Sequence, residues 1–424
     1  MTVATAPTLR PVNTTAVRRS RRVPLFLLVL GPGLMVMLAD TDAGSIATAA
    51  QSGASWGYRL LLLQLVLVPV LYLVMELTVR LGIATGKGHA QLIREEFGST
   101  WAFVSVGTLL VCAVGALVTE FAGIAGIGRL FGLPATATVI PAAIGLVALV
   151  VTGGYRRVEV VGITLGLFEL AFVVAAVLAR PDPHALAAGV VGAQPLANPS
   201  YVALVAANVG AVVMPWMVFY QQGAVVEKGL GPGDLRHARI DTALGALATQ
   251  VVMAAVLVAT AATVHARRAP PLRSVADIAT ALSPTLGAPV AKAVLALGVG
   301  GAALLASIVV SIAFAWAVAE AVGHPRSLEL SLRRAPLFYG LFTASVAAGA
   351  ALVLTSSSLV RLSVDVEVVN ALLLPLVLGF LAALAFRVLP RPFALGRRRR
   401  AALAATIGVV VAIGLLWVGL ALGF

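Results

Sequence analysis

Residues 25–51 read LFLLVLGPGLMVMLADTDAGSIATAAQ, an apolar run broken in its middle by Asp40-Thr41-Asp42-Ala43-Gly44-Ser45. The run is long enough to cross a bilayer, which takes about 20 residues of helix. A charged residue at the bilayer centre costs about 2.5–3.5 kcal/mol on insertion-based scales. Two carboxylates at one depth therefore need a partner. A bound cation is the simplest, because it offsets the cost of burying the anion. The stretch predicts a membrane helix interrupted at a cation site.

The rest of the chain fits this reading. Of 424 residues, 60% are hydrophobic and only 11% are charged, a composition that excludes a soluble globular protein of this size. Eleven apolar spans are predicted: 25–50, 58–80, 101–128, 136–154, 160–180, 200–224, 239–264, 289–322, 335–355, 363–387 and 401–423. An amphipathic stretch at 273–285, after Pro270-Pro271, is expected in an outer loop. The single cysteine, Cys112, lies in an apolar run and allows no disulfide framework.

Charge supplies the orientation. With the N-terminus inside, segments 1–24, 80–100, 155–159, 225–239, 323–334 and 387–400 face the cytoplasm and hold 22 of the 30 Lys/Arg. The polar tail 1–24, which ends in Arg18-Arg19-Ser20-Arg21-Arg22, has no small-residue cleavage site after a short apolar core and is expected to be retained. An odd span count puts the C-terminus outside. The net charge of +13 thus reads as a topology signal and an attraction to anionic membrane lipid. It does not read as nucleic-acid binding, because the basic residues are scattered among short loops. The expected location is the plasma (inner) membrane.

A second interruption lies in span six, where Asn208-Val209-Gly210-Ala211-Val212-Val213-Met214-Pro215-Trp216 puts Gly and Pro in mid-membrane. Proline removes a backbone donor and clashes with the preceding turn, so the helix should open near Met214. Lipid tolerates opened backbone only where it lines a cavity or is buried in protein. Spans one and six are five apart, and five is odd, so five-span units starting there point opposite ways. Matching breaks in two such halves mark an inverted-repeat transporter with its substrate near the midplane. The predicted organisation is a first repeat at 25–180, an outer loop at 181–199, a second repeat at 200–388 and an added membrane helix at 401–424.

Several motifs carry a family likeness. Gly31-Pro32-Gly33, Asp42-Ala43-Gly44-Ser45-Ile46, Gln51-Ser52-Gly53-Ala54 and Gly57-Tyr58 resemble the first span of the Nramp divalent-metal transporters, which read Asp-Pro-Gly-Asn at the break. Arg80-Leu81-Gly82 with Thr85-Gly86-Lys87 resembles the loop after the second span, and Glu120-Phe121 resembles the third. Ala211 through Met214-Pro215 resembles the family's Ala-x-x-Met-Pro-His. The resemblance implies an all-α, leucine-transporter-like 5+5 fold that moves Mn²⁺, Fe²⁺ and related ions inward, usually with protons. Four departures stand out. Ala43 replaces the proline, Ser45 the asparagine ligand and Trp216 the histidine, and Leu117 stands where many members have aspartate. No arginine lies inside span nine. The pattern is similar to the Nramp-related Mg²⁺ transporters, which take up their ion without protons.

The candidate ion ligands are Asp42, Ser45, the carbonyl of Ala211, and Met214. A carboxylate is hard and suits Mg²⁺ or Mn²⁺; Asp42 is otherwise a structural acid of the opened backbone. Ser45 offers a hydroxyl or a helix cap. The Met214 thioether is soft and as a ligand would favour Mn²⁺ or Fe²⁺; otherwise it packs. Asp40 is an outer-shell charge or a partner for another polar group. Glu120 matches a family position near the transport path. Trp216 joins that path by position, Tyr220 and Gln221-Gln222 are read as lining its inner part or as a polar helix end, and Asp365 and Glu367 as facing the outer vestibule. Glu169 lies within an apolar span, and Asn370 follows Glu367. Glu76 and Glu320 fall near the cytoplasmic side and are expected to be wet interfacial acids. The five histidines show no metal-ligand spacing. The Gly82–Gly88 stretch follows no strand, and no phosphate loop or nucleophile elbow indicates an enzyme.

These residues point to a secondary transporter of divalent cations of the Mn²⁺/Fe²⁺ class, with no cofactor beyond the transported ion. One alternative is an uncoupled Mg²⁺ transporter. Others are an amino-acid/cation symporter of the same fold or a non-transporting sensor. Coupling to protons is expected to be weak or absent.

Overall fold

The first span forms as two helices. In the computed structural model, which describes residues 31–267, 272–354 and 359–422, α1 covers Pro32–Asp40 and α2 covers Ala43–Trp56. Thr41 (φ −81°, ψ 48°) and Asp42 (φ −72°, ψ 176°) are non-helical between them. The sixth span breaks likewise. Helix ends at Val212, Val213 (φ −128°, ψ 84°) is non-helical, Met214 is extended, and Pro215 restarts the helix. Pro215 is well placed at a helix start, where its missing N–H is one of the groups no intrahelical acceptor would serve. The N-terminal tail 1–24 and the beginning of span one lie outside the described residues.

The remaining helices are α3 (Leu61–Thr85), α4 (His89–Phe97), α5 (Ser99–Leu130), α6 (Ala135–Leu167), α7 (Ala171–Leu178), α8 (Pro183–Val191), α9 (Pro199–Val212) and α10 (Pro215–Glu227). They continue with α11 (Leu235–Thr260), α12 (Val275–Leu286), α13 (Ala288–Val322), α14 (Pro336–Val353), α15 (Leu359–Arg387) and α16 (Arg397–Leu422). Among the described residues, nine helical stretches are long and apolar enough to cross a membrane. The stretch 135–178 has 44 residues, about 66 Å as one helix at 1.5 Å per residue, twice the bilayer core. It bends at Gly154, whose φ of 64° and ψ of 167° suit only glycine, and supplies two crossings. With the broken first span, whose halves are each short, the described helices make eleven crossings. The molecule is an all-α polytopic membrane protein. Two five-span units each open on a broken helix, and α16 follows them.

The broken helices sit in the middle of the bundle. α11 packs on α1, α2 and α3, α15 packs on α9 and α2, and α13 packs on α5 and α10. The residues of the broken helices α1, α2, α9 and α10 are buried almost throughout, whereas α5, α6, α7 and α16 turn Trp101, Val111, Ile144, Val177 and Leu415 outward. Exposed apolar faces of this extent suit lipid. Short helices α4 and α12 lie in the connections, α12 against α13 and α5. The stretch expected in an outer loop thus forms a helix there.

Close approach of small residues draws the central helices together, as it does where lipid offers no hydrophobic drive between them. At Gly210 a Cβ would collide with the carbonyl oxygen of Glu367 and the amide of Ala371, both backbone atoms of α15. Substituting Gly210→Ala should therefore cost about 1–3 kcal/mol, the usual range for overpacking. A lower thermal midpoint of the purified protein in detergent is the expected reading, and an unchanged one would mean that α9 and α15 do not touch here.

Candidate cation site at the helix breaks

Asp42 caps α2. Its Oδ1 accepts a hydrogen bond from the Ser45 amide at 2.7 Å, and its Oδ2 is buried without a hydrogen-bond partner. Glu120, from α5, adds a second carboxylate to the same helix start, with its Oε2 accepting from the Ala43 amide at 3.1 Å. The N-terminal end of α2 carries partial positive charge, which favours both. The Glu120 carboxyl also faces that of Asp42.

The two breaks meet through Ser45. Its hydroxyl donates to the Ala211 carbonyl at 3.2 Å, across 166 residues of sequence. That carbonyl is free because its helical partner four residues on is Pro215, which has no N–H. Above this contact, Asn208 Nδ2 donates to Ser52 Oγ at 2.8 Å and Gln64 Nε2 donates to Asn208 Oδ1 at 2.6 Å. The seam between α2 and α9 is thus polar where both helices pass the site.

Glu367 joins them. A Cβ on Gly44 would lie 2.8 Å from Glu367 Oε1 and 3.3 Å from both Asp42 Oδ1 and Thr119 Oγ1. Three oxygens from three spans therefore border one small space that glycine keeps open. Asn370 Nδ2 donates to Glu367 Oε2 at 2.9 Å, holding the carboxylate. Asp42, Ser45, Glu120 and Met214 are all 0% exposed and Glu367 is 1% exposed. The expectation that Glu367 faces an outer vestibule is corrected by this burial; Asp365, two residues earlier, is exposed and stands apart from the site.

Met214 occupies the break of the sixth span with its sulfur engaged. Trp216 Nε1 donates to Met214 Sδ at 3.0 Å. One of the thioether's two lone pairs is thus taken by a residue two positions away. Among the described residues, no three His, Cys, Asp or Glu side chains form a metal-ligand group. The donors gathered at the breaks are mixed: carboxylate, hydroxyl, backbone carbonyl and thioether.

Asp40 ends α1 and is buried, as is Glu169. Thr41 and Thr249 hydroxyls lie 2.6 Å apart beside them. The sequence marks Glu169 as an acid in an apolar span and gives Thr249 no such mark, because a mid-span threonine ordinarily bonds its own helix.

The end of the bundle that carries most Arg and Lys is tied by ion pairs and a helix cap. Glu76 accepts from Arg80 at 2.6 Å, Arg239 at 2.6 Å and Arg399 at 3.0 Å. Arg80 Nη1 also donates to the Phe393 carbonyl at 2.8 Å. Asp241 caps α1, accepting from the amides of Gly31, Gly33 and Leu34 at 3.3, 2.7 and 3.1 Å. Lys228 pairs with Glu159 at 2.9 Å, and Arg326 pairs with Glu320 at 2.6 Å. Glu320 also accepts from the Gln91 amide at 3.2 Å. Glu76 and Glu320, expected to be wet, are 2% and 6% exposed. Their arginine partners supply what water was expected to.

Tyr220, Gln221 and Gln222 are packed rather than open to a path. Tyr220 donates to Met35 Sδ at 3.1 Å and stacks on Trp316. Gln221 accepts from Thr78 at 2.8 Å and donates to Thr242 at 3.0 Å. Gln222 donates to the Lys87 carbonyl at 2.9 Å and its Oε1 lies 3.0 Å from His89 Nδ1. Burial pushes the His89 imidazole down to about 4 despite that contact, so it is neutral at physiological pH.

A family model for natural resistance-associated macrophage protein-like sequences matches residues 33–419. The chain belongs to the Nramp family. Two Nramp relatives carry the description divalent metal cation transporter. The protein of Brucella suis is 29% identical over 284 residues, 64% of this chain and 62% of its own length. That of Listeria welshimeri is 27% identical over 318 residues, 71% of this chain and 69% of its own. Among solved structures, the manganese transporter of Eremococcus coleocola superposes with a TM-score of 0.76 at 19% identity, covering 92% of this chain and 85% of that one. A Na⁺-coupled sialic acid symporter superposes at 0.61 with 11% identity, covering 93% and 90%. These likenesses give the leucine-transporter-type fold.

Proposed function

We propose that this Nramp protein is a secondary transporter of divalent metal cations that works by alternating access, with its N-terminus cytoplasmic and its C-terminus outside, in the plasma membrane. The observation that carries the proposal is the meeting of Asp42, Ser45 and the proline-freed Ala211 carbonyl at two helix breaks, inside a buried space bordered by further carboxylates. Asp42 Oδ2 is the free carboxylate oxygen there. The names of the Brucella, Listeria and Eremococcus proteins support the same substrate class.

In this mechanism the ion replaces the Ser45–Ala211 hydrogen bond with bonds to its own charge. The Ser45 hydroxyl turns its oxygen toward the metal, and the Ala211 carbonyl becomes a ligand. Glu120 and Glu367 hold negative potential beside Asp42 and draw the cation out of water. Release toward the cytoplasm requires α1 to leave its place, which means parting the Asp241 cap on its first amides. Asp42 follows the other end of α1 within two residues, so that loading there can bias the opening.

Two observations favour a second reading, in which the physiological ion is harder than Mn²⁺ and resembles Mg²⁺. Glu367 adds an oxygen donor, and Trp216 occupies the sulfur of Met214. An amino-acid symporter is disfavoured. The helix start that would receive a substrate carboxylate is already covered by Asp42 and Glu120.

Replacing Asp42 by Ala is expected to abolish uptake of Mn²⁺ and Mg²⁺ into proteoliposomes while the protein still purifies as a monodisperse species. Asp42→Glu should fail as well, since one more methylene displaces the ligand oxygen. Full transport by Asp42→Ala would sink the site.

Met214→Ala should weaken binding of Mn²⁺ or Cd²⁺ and leave Mg²⁺ or Ca²⁺ almost untouched, because only soft ions use sulfur. Trp216→Phe frees the sulfur and should strengthen Cd²⁺ binding. Equal changes for hard and soft ions in calorimetry would reduce Met214 to a packing residue.

Metal movement is expected to carry few or no protons. Leu117 borders an apolar crevice with Leu110, Phe314, Leu341 and Leu352, so the face of α5 toward α14 offers no relay. His89 is neutral and adds none. Lumenal pH should stay flat in proteoliposomes under an imposed metal gradient. Acidification at a fixed proton-to-metal ratio would overturn this.

A further inference from the structure

Asp40 and Glu169 are 1% and 0% exposed, and none of their four carboxyl oxygens has a hydrogen-bond partner. They come from different spans. Asp40 is the last residue of α1, and Glu169 sits in the 3-10 turn Phe168–Leu170 between α6 and α7. Asp40 acts on Glu169, Asp42 acts on both, and Thr41 lies beside Glu169 while Thr249 of α11 lies beside Asp40. The two hydroxyls lie 2.6 Å apart, so that one O–H is engaged between them. No cationic side chain is among the groups acting on either acid.

A buried carboxylate without partner or counter-charge is strongly unfavourable, and two side by side are worse. The transported ion does not relieve this. Asp40, Asp42, Glu120, Glu169 and Glu367 are all buried around the breaks, and one divalent cation brings only two positive charges. We infer that Asp40, Glu169 and the hydroxyls of Thr41 and Thr249 form a second cation site, distinct from the Asp42 site and selective for hard cations. The donors are all oxygen, which suits Na⁺ or a divalent ion that accepts oxygen ligands, Mg²⁺, Ca²⁺ or Mn²⁺, and offers a thiophilic ion such as Cd²⁺ no sulfur. The site joins α1, the turn before α7, and α11. An ion held there ties the mobile half of the first span to two neighbours, and by linkage it favours loading at Asp42 as loading at Asp42 favours it.

The inference rests on the reading of Asp42 as ligand to the transported ion, and stoichiometry separates the two. Equilibrium dialysis of the full chain in nanodiscs, with radioactive manganese and sodium, counts the ions. Two Mn²⁺ per chain, or one Mn²⁺ with one Na⁺, are the expected results; they identify the second ion as divalent or as sodium. Glu169→Gln should remove that ion and keep one Mn²⁺. Thr249→Val, which preserves volume and serves if Glu169→Gln misfolds, should weaken the second ion roughly tenfold or more and leave the first unchanged. A single ion bound by the wild type under all conditions, or wild-type stoichiometry and affinity in both variants, would overturn the second site. Binding of no metal at all would instead overturn the proposed transport function.

Discussion

A helix that stops inside a bilayer leaves amides and carbonyls that lipid cannot satisfy, and the architecture follows from how those groups are served. The α2 amides are met by carboxylates, Asp42 on Ser45 and Glu120 on Ala43. The Ala211 carbonyl, stripped of its donor by Pro215, is met by the Ser45 hydroxyl. Each solution places a charge or a polar atom at a helix break in the middle of the bundle. Such groups survive there only under a sheath of packed helices, which is why α5, α11, α13 and α15 surround the breaks. The opened backbone, the buried acids and the enclosing bundle are one constraint seen from three sides.

Electrostatics divides the molecule into two regimes. At the breaks, acids stand together without basic side chains, an arrangement suited to ions that come and go. At the Arg-rich end, acids are buried against arginine, lysine or backbone amides: Glu76 under three guanidiniums, Glu320 under Arg326 and the Gln91 amide, Asp241 under the amides of α1. The first group has no basic side chain beside it; the second carries its own partners.

Much of this was legible in the sequence because helix breaks advertise themselves. Asp42, Ser45, Ala211 and Met214 all lie within a few residues of Gly or Pro in apolar runs, and the structure brings Asp42, Ser45 and Ala211 together. Glu367 was visible as an acid near a span start, but its depth was not. That depth is set by the close approach of α15 to Gly210, a tertiary fact. Glu76 and Glu320 were misread as wet for a related reason. Arg239 and Arg399 lie 163 and 323 residues from Glu76, beyond any local pattern. Thr249 gave no signal at all, since its hydroxyl gains meaning only beside Asp40.

Glu76 also has a consequence for the order in which the chain is made. Its guanidinium partners arrive in sequence: Arg80 from the same helix, Arg239 from the second repeat, and Arg399 from the start of the last crossing. Arg80 can pair with the acid inside its own helix, but the cluster is complete only with Arg399 at the start of α16 in place. The helix that stands outside the repeat thereby becomes the final fastening of an assembly begun several hundred residues earlier. A chain without α16 lacks that last ion pair on Glu76.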